Sequence, residues 1–167
     1  QFQELLYSLD DLEDTNIIFT KTNSDVDGKI INLMIDEYTK KNSDKSIGIT
    51  SLGQLNYLSA LKYVDFIIGN SSSGLLEAPS FKIGTINIGD RQKGRIKAES
   101  IVDCLPTKKS IKEAIKIIYS DNFQKNLKTV KNPYGDGCAS KKIVNVLKSV
   151  SLDNILKKAF FNVKFSL

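Results

Sequence analysis

The sequence predicts an α/β fold in which a parallel sheet is flanked by helices. Short β-type apolar runs alternate with helical patterns roughly every 15–25 residues, the rhythm of βαβ units. The run Phe66-Ile67-Ile68 is apolar throughout, as expected of a parallel strand covered on both faces. A third observation is that residues 1–12, "QFQELLYSLDDL", read as a helix with no strand before it, so the doubly wound pattern starts in mid-course.

Taken in order, Ile17-Ile18-Phe19 opens the first strand, and "TKTNSD" leaves it as a loop. From Asp25 to about Lys41 the apolar positions Ile30, Ile31, Leu33, Met34, Ile35 and Tyr38 fit an amphipathic helix, capped by Ser24 or Asp25. "KSIGIT" is a second strand, and "GQLNYLSALKYV" a second helix with Leu55, Leu58, Leu61 and Val64 at helical spacing. The strand "DFIIGN" is followed by a short helix from about Gly74 to Phe81, then by strands "GTINIG" and "SIVDC". Pro106-Thr107 punctuates the chain before helices at about 108–119 and 121–130. "KNPYGDG" is a loop, and a last long helix runs from near Ala139 to about Val150, followed by a short helix and an apolar tail.

Composition narrows the function. The 167 residues suffice for one domain with a core, and 41% apolar with 26% charged residues is ordinary for a globular protein. No apolar run approaches the roughly 18 residues of a membrane span, and no nucleic-acid partner is expected because the lysines are scattered instead of clustered. A net charge of +5 suits an anionic ligand. The acidic N-terminal stretch has no signal-peptide pattern, so a cytoplasmic location is expected. Cys104 and Cys138 make no disulfide framework, and the absence of histidine excludes a Cys/His zinc site and removes the commonest general base.

The stretch "VDFIIGNSSSGLLEAPSF", residues 64–81, is where a site is expected. Ligands of open α/β sheets bind beyond the carboxyl ends of the strands. Ser71, Ser72, Ser73 and Gly74 stand where a strand hands over to a helix, and small residues there let a phosphate reach unpaired amides. Glu77, one turn on, suits a ribose diol. The same pattern also reads as serine N-caps with a capping-box acid. The basic loop "NIGDRQKGR" follows the next strand and brings Arg91, Lys93 and Arg95 to the same edge, either as phosphate ligands or as a solvated loop. "NPYGDG" is either an anion cradle or a structural turn, Asp25 and Asp27 either a metal pair or a helix cap, and Tyr57 either a ring that stacks on a base or a core aromatic.

The runs "SLGQLNYLSALKYVDFIIGNSSSGLLEAPSF", "TINIGDRQKGR" and "NPYGDGCAS", in this order, together with "FTKTNSDVDGKIINLMIDEY", resemble the hydrolysing UDP-N-acetylglucosamine 2-epimerases, particularly the bacterial sialic-acid-pathway branch. The resemblance implies a Rossmann-like domain forming the C-terminal half of a glycosyltransferase-B-type two-domain fold. On that basis residues 1–150 are the UDP-binding domain, with 1–12 arriving from an absent N-terminal half, and 151–167 are a tail helix and apolar tail. It further implies that Ser71 and Ser72, with Ser73 and Gly74 beside them, hold the diphosphate, that Glu77 accepts the ribose hydroxyls, that Arg91 contacts phosphate or sugar, and that Tyr57 lies against uracil. The implied partners are a UDP-sugar substrate, the absent N-terminal domain and a second copy in a homodimer, with no metal and no cofactor. The acids and the histidine credited with proton transfer in the family lie outside this segment, so the chain alone is expected to be inactive. A glycosyltransferase of the same architecture and a non-catalytic nucleotide-binding module are the competing readings. One departure is "KIGT" at residues 82–85, where the family commonly has proline, and Gly84 is expected to loosen that turn.

Overall fold

The structure, a computed structural model, describes residues 1–22, 26–153, 155–157 and 163. It divides into two units, Gln1–Tyr134 and Gly135–Leu167.

The first unit holds all five described strands, β1 (Ile17–Thr20), β2 (Ser46–Ile49), β3 (Phe66–Gly69), β4 (Gly84–Ile88) and β5 (Ile101–Cys104). Every pairing is parallel, as the alternation of strand and helix predicts. Hydrogen bonding divides the strands into a two-stranded sheet, β1-β2, and a three-stranded sheet, β3-β4-β5. One hydrophobic cluster nonetheless spans both, joining Phe19 of β1 to Ile86 of β4, with Phe66, Ile68 and Val102 packed against it. Side-chain packing thus continues where the described ladder stops. The central strand of the larger sheet is β4, while β3 lies at its edge and its residues are only partly buried, less than the apolar run suggests.

Helix α1 (Phe2–Asp10) buries Leu5, Leu6 and Leu9 in that cluster. It is an integral part of the first unit. Its Glu4 Oε2 accepts from the Lys108 amide at 2.9 Å, and Asp11 just beyond it pairs with Lys108 and Lys112. Those contacts fall on α5 (Lys108–Ile118), whose Ile111, Ala114, Ile115 and Ile118 recur at helical spacing and supply the other side of the core. Thr107 caps α5, accepting from the Ser110 amide, and Ser120 caps α6 (Asp121–Leu127) in the same way. Helix α2 (Val26–Lys41) buries Ile35 and Tyr38 and leaves Ile30 and Leu33 exposed, so four of its six predicted apolar positions face inward or partly inward. The proposed caps Ser24 and Asp25, and the Asp25–Asp27 pair, lie outside the described residues and side chains.

Three expectations about the middle of the chain change. Helix α3 ends early, at Gly53–Ala60, and Leu55 is 79% exposed, while Leu61 in the following turn is the buried anchor. The single helix expected over 74–81 is two short pieces, α4 (Ser73–Leu76) and a 3-10 turn (Ala78–Phe81). Pro79 is the cause: it has no N–H to continue an α-helix and disfavours helical backbone before it. Gly84 is no loosened turn. It begins β4, where a Cβ would come within 3.0 Å of Ile118 Cδ1 and Phe123 Cε1, so its lack of a side chain lets α5 and α6 close on the sheet.

In the second unit, α7 (Ala139–Ser149) forms as predicted. Beyond it, the described residues 151–153 and 155–157 form no helix, where a tail helix was expected.

Candidate functional site

The register of the sheet assembles the site. Gly69, the last residue of β3, sits opposite Asn87 of β4, so the segments that leave these strands emerge side by side at the carboxyl edge. Both exits use glycine at positive φ, Gly69 at 151° and Gly89 at 76°, conformations that a side chain would disfavour. The serine turn and the basic loop, which leave strands paired 18 positions apart, therefore meet: Arg91 Nη1 lies 3.4 Å from both the carbonyl and the side-chain oxygen of Asn70.

The neighbour of Arg91 does a different job. Gln92 is buried, at 2% exposure, and its Nε2 donates to the Asn70 carbonyl at 2.7 Å. It ties the serine turn to the loop beside Arg91, which is exposed. On the far side of the loop, Lys97 pairs with Asp103 at 2.7 Å, and the Asn87 side chain donates to the same carboxylate. Burial opposes ionisation of Asp103, but Lys97 and Asn87 outweigh it and hold the carboxyl below its ordinary value.

Within the serine turn the local structure is a single helical turn. Ser72 stands at its N-cap position and makes no side-chain cap bond, and Ser71 Oγ accepts from the Ser73 amide at 3.3 Å. Among the described residues, the amides of Ser71 and Ser72 donate to no backbone acceptor. They are the unpaired donors that an anion would use. The helix dipole contributes less than a long helix would, because four residues align few peptide units. Gly74 is needed for packing: it is buried, and a Cβ there would lie 2.5 Å from Thr85 Cγ2. Thr85 Oγ1 donates to the Gly74 carbonyl at 3.0 Å and fastens the turn to β4.

Glu77 ends α4 and begins the 3-10 turn, with φ −108° and ψ −48°. It forms no capping box, since its carboxylate binds the Ser73 hydroxyl at 2.5 Å and reaches no N-cap amide. The same Ser73 Oγ is hydrogen-bonded to the Tyr57 hydroxyl. Tyr57 packs its ring against the second hydrophobic cluster, formed by Leu61, Ala78 and Ile83, and thus serves the core as well as the site edge. Ser71, Ser72, Ser73, Glu77, Arg91 and Tyr57 are therefore all brought to one ledge.

"NPYGDG" resolves as a strut over its first three residues. Asn132 Nδ2 donates to the Leu76 carbonyl at 2.8 Å and to Ser80 Oγ at 2.7 Å, while its Oδ1 accepts from the Tyr134 amide. Tyr134 donates its hydroxyl to the Ile96 carbonyl at 2.9 Å. Asn70, Gln92 and Asn132 are the positions that the sequence reading passed over. Their partners lie 21 to 56 residues away, so no local pattern marks them. One concavity lies around residues 12–16 and 44–45 and another around Gly89, Asp90, Asp103 and Cys104, and neither of these is lined by the serine turn. The ledge is open. Among the described residues no three His, Cys, Asp or Glu side chains gather as a metal site would require, and no helix is long and apolar enough to cross a membrane.

The parallel α/β sheet, with a small-residue turn and a basic loop at its carboxyl edge, defines a class of anion- or nucleotide-holding α/β domains. Residues 1–148 match the model of the UDP-N-acetylglucosamine 2-epimerase family, and the chain belongs to that family. It is 43% identical over 164 residues to the GDP/UDP-N,N'-diacetylbacillosamine 2-epimerase (hydrolyzing) of Campylobacter jejuni, an alignment covering 98% of this chain and 42% of that protein. It is 34% identical to the polysialic acid biosynthesis protein P7 of Escherichia coli, over 98% of this chain and 42% of the relative. The chain thus spans less than half the length of these curated relatives. Among solved structures, the UDP-GlcNAc 2-epimerase of Methanocaldococcus jannaschii, in complex with UDP-GlcNAc and UDP, shares the fold with a TM-score of 0.68 at 20% identity. That match covers 87% of this chain and 40% of the other. The UDP-GlcNAc 2-epimerase of Neisseria meningitidis gives a TM-score of 0.65 at 17% identity, over 89% and 40% of the two chains.

Proposed function

We propose that this chain is the nucleotide-binding half of a hydrolysing UDP-sugar 2-epimerase that converts UDP-N-acetylglucosamine and water to free N-acetylmannosamine and UDP. The observation that carries the reading is the ledge itself. In a chain of this family, the unpaired amides of Ser71 and Ser72, the exposed Arg91 and the half-buried Glu77 converge at the carboxyl edge of two parallel strands.

In the proposed reaction a base removes the proton at C2 of the sugar and UDP departs from C1, leaving a glycal. Water then adds back with inversion at C2. This chain acts on the leaving group. The Ser71 and Ser72 amides and hydroxyls and the Arg91 guanidinium lie where negative charge grows on the diphosphate, which favours the transition state over the ground state. Glu77 accepts from the ribose diol and the Tyr57 ring lies against uracil. The base comes from an N-terminal half facing the ledge, which accords with a chain that has no histidine. The whole enzyme works in the cytoplasm as a homodimer.

A second reading concerns the sugar. The 43% identity to a relative named for diacetylbacillosamine favours a UDP-diacetamido-trideoxyhexose as the alternative substrate. Release of UDP by the whole protein, assayed with each nucleotide sugar in turn, separates the two. The chain by itself is expected to turn over neither. Glu77→Ala is expected to abolish most UDP binding in calorimetric titration, and an unchanged affinity would remove Glu77 from the pentose.

A further inference from the structure

We propose that Ser73 is a positioning residue: its hydroxyl, held by the Tyr57 hydroxyl, fixes the Glu77 carboxylate so that Oε2 is occupied and Oε1 is left for a ribose hydroxyl. The role rests on Glu77 holding the pentose. Tyr57 comes from α3 and Ser73 from α4, sixteen residues apart in sequence, and both are partly buried.

The direction of the chain follows from donor counting. An ionised carboxylate only accepts, so the one Ser73 proton goes to Glu77 Oε2. Ser73 Oγ must then accept from Tyr57, whose phenol supplies the proton. Burial pushes the Tyr57 phenol above its ordinary value, the Ser73 bond partly opposes this, and the Glu77 charge adds to the rise. The phenol therefore keeps its proton at neutral pH and remains a donor.

Glu77 needs such a holder. It sits at the joint of two one-turn segments, so no long helix fixes its backbone. Among the described residues it forms no ion pair, and the Ser73 hydroxyl is the donor bonded to its carboxylate. Ser73 is itself well anchored, because the next two residues, Gly74 and Leu75, are buried and the Gly74 carbonyl is tied to Thr85. The rigidity of β4 thus passes through α4 to the carboxylate, and the Tyr57 hydroxyl joins the nucleobase side of the ledge to the pentose side.

The test uses the whole protein that carries this chain, titrated with UDP and with 2′-deoxy- and 3′-deoxy-UDP. The unaltered protein is expected to prefer UDP over at least one deoxy ligand by about tenfold, the scale of a hydrogen bond to a charged group. Ser73→Ala is expected to bring that preference close to one by weakening UDP about tenfold and the deoxy ligand far less. Ser73→Thr, which retains the hydroxyl, restores the preference, and Tyr57→Phe, which retains the ring, lowers it part of the way. Equal weakening of all ligands by Ser73→Ala, or a preference that survives it, would overturn the positioning role and leave Glu77 on the pentose. No preference in the unaltered protein would remove both. If thermal melting shows that Ser73→Ala does not fold, the same ratio measured with Tyr57→Phe decides.

Discussion

Two turns of the molecule, at residues 69–77 and 132–134, each contain an asparagine and offer polar groups beside α4, and they use those groups in opposite ways. In the second turn, the Asn132 amide group donates twice, its oxygen accepts once, and the Tyr134 hydroxyl donates to Ile96. These groups are fully engaged with the protein, and the turn is a strut that holds α4 and the basic loop. In the first turn, the Ser71 and Ser72 amides have no backbone acceptor, and Arg91 makes only long contacts. The difference teaches that residue type marks a candidate anion site, while the presence of unengaged donors decides between site and strut.

The comparison breaks most visibly at Gly74. Gly74→Ala places a Cβ against Thr85 Cγ2 and is expected to cost about 1–3 kcal/mol in urea unfolding, as overpacking of a buried contact does. Thr85→Ser removes the obstructing methyl and keeps the hydroxyl that bonds the Gly74 carbonyl, so the double variant should recover most of the loss. An undiminished cost in the double variant would place the requirement for glycine elsewhere.

A smaller effect is expected at the strut. Asn132→Ala removes three hydrogen bonds at a partly exposed side chain and should lower stability by about 1–2 kcal/mol. It should also weaken UDP binding indirectly, in proportion to the loosening of α4. A variant as stable as the parent would show that 132–134 is no strut.

The smallest effect tests the far anchor of the basic loop. The Asp103 carboxyl titrates below its ordinary value of 3.8 in the folded chain. A depressed folded value means stability that is present above the unfolded pKa and is lost as pH falls through the folded one. Because Asp103 is half exposed, the contribution is expected to stay below about 1 kcal/mol. Denaturation midpoints at pH 6 and pH 3 should therefore converge slightly in Asp103→Asn relative to the parent. An unchanged pH dependence would remove the Lys97–Asp103 pair from the stability of the loop.

What the amino-acid order determined by itself is local. The strands at Ile17–Thr20 and Gly84–Ile88 and the helices expected at about 108–119 and 121–130 all depend on residues within a turn or two of one another, and they form at Ile17–Thr20, Gly84–Ile88, Lys108–Ile118 and Asp121–Leu127. The family likeness carried by "GNSSSG" and "INIGDRQ" is equally a matter of contiguous residues. The tertiary structure alone decided which polar groups are engaged. Gln92 bonding Asn70 follows from the parallel register that sets Gly69 beside Asn87, while Asn132 bonding Leu76 and Tyr57 bonding Ser73 join segments that only the packed fold brings together. The split of the helix at Pro79 and the burial of Gly84 under Ile118 belong on either side of the same line: the first follows from a ring without an N–H, legible in place, and the second from a helix that arrives more than twenty residues later. Periodicity reports the face that a residue takes, but hydrogen bonds and close packing between distant segments exist only once the sheet has brought those segments together.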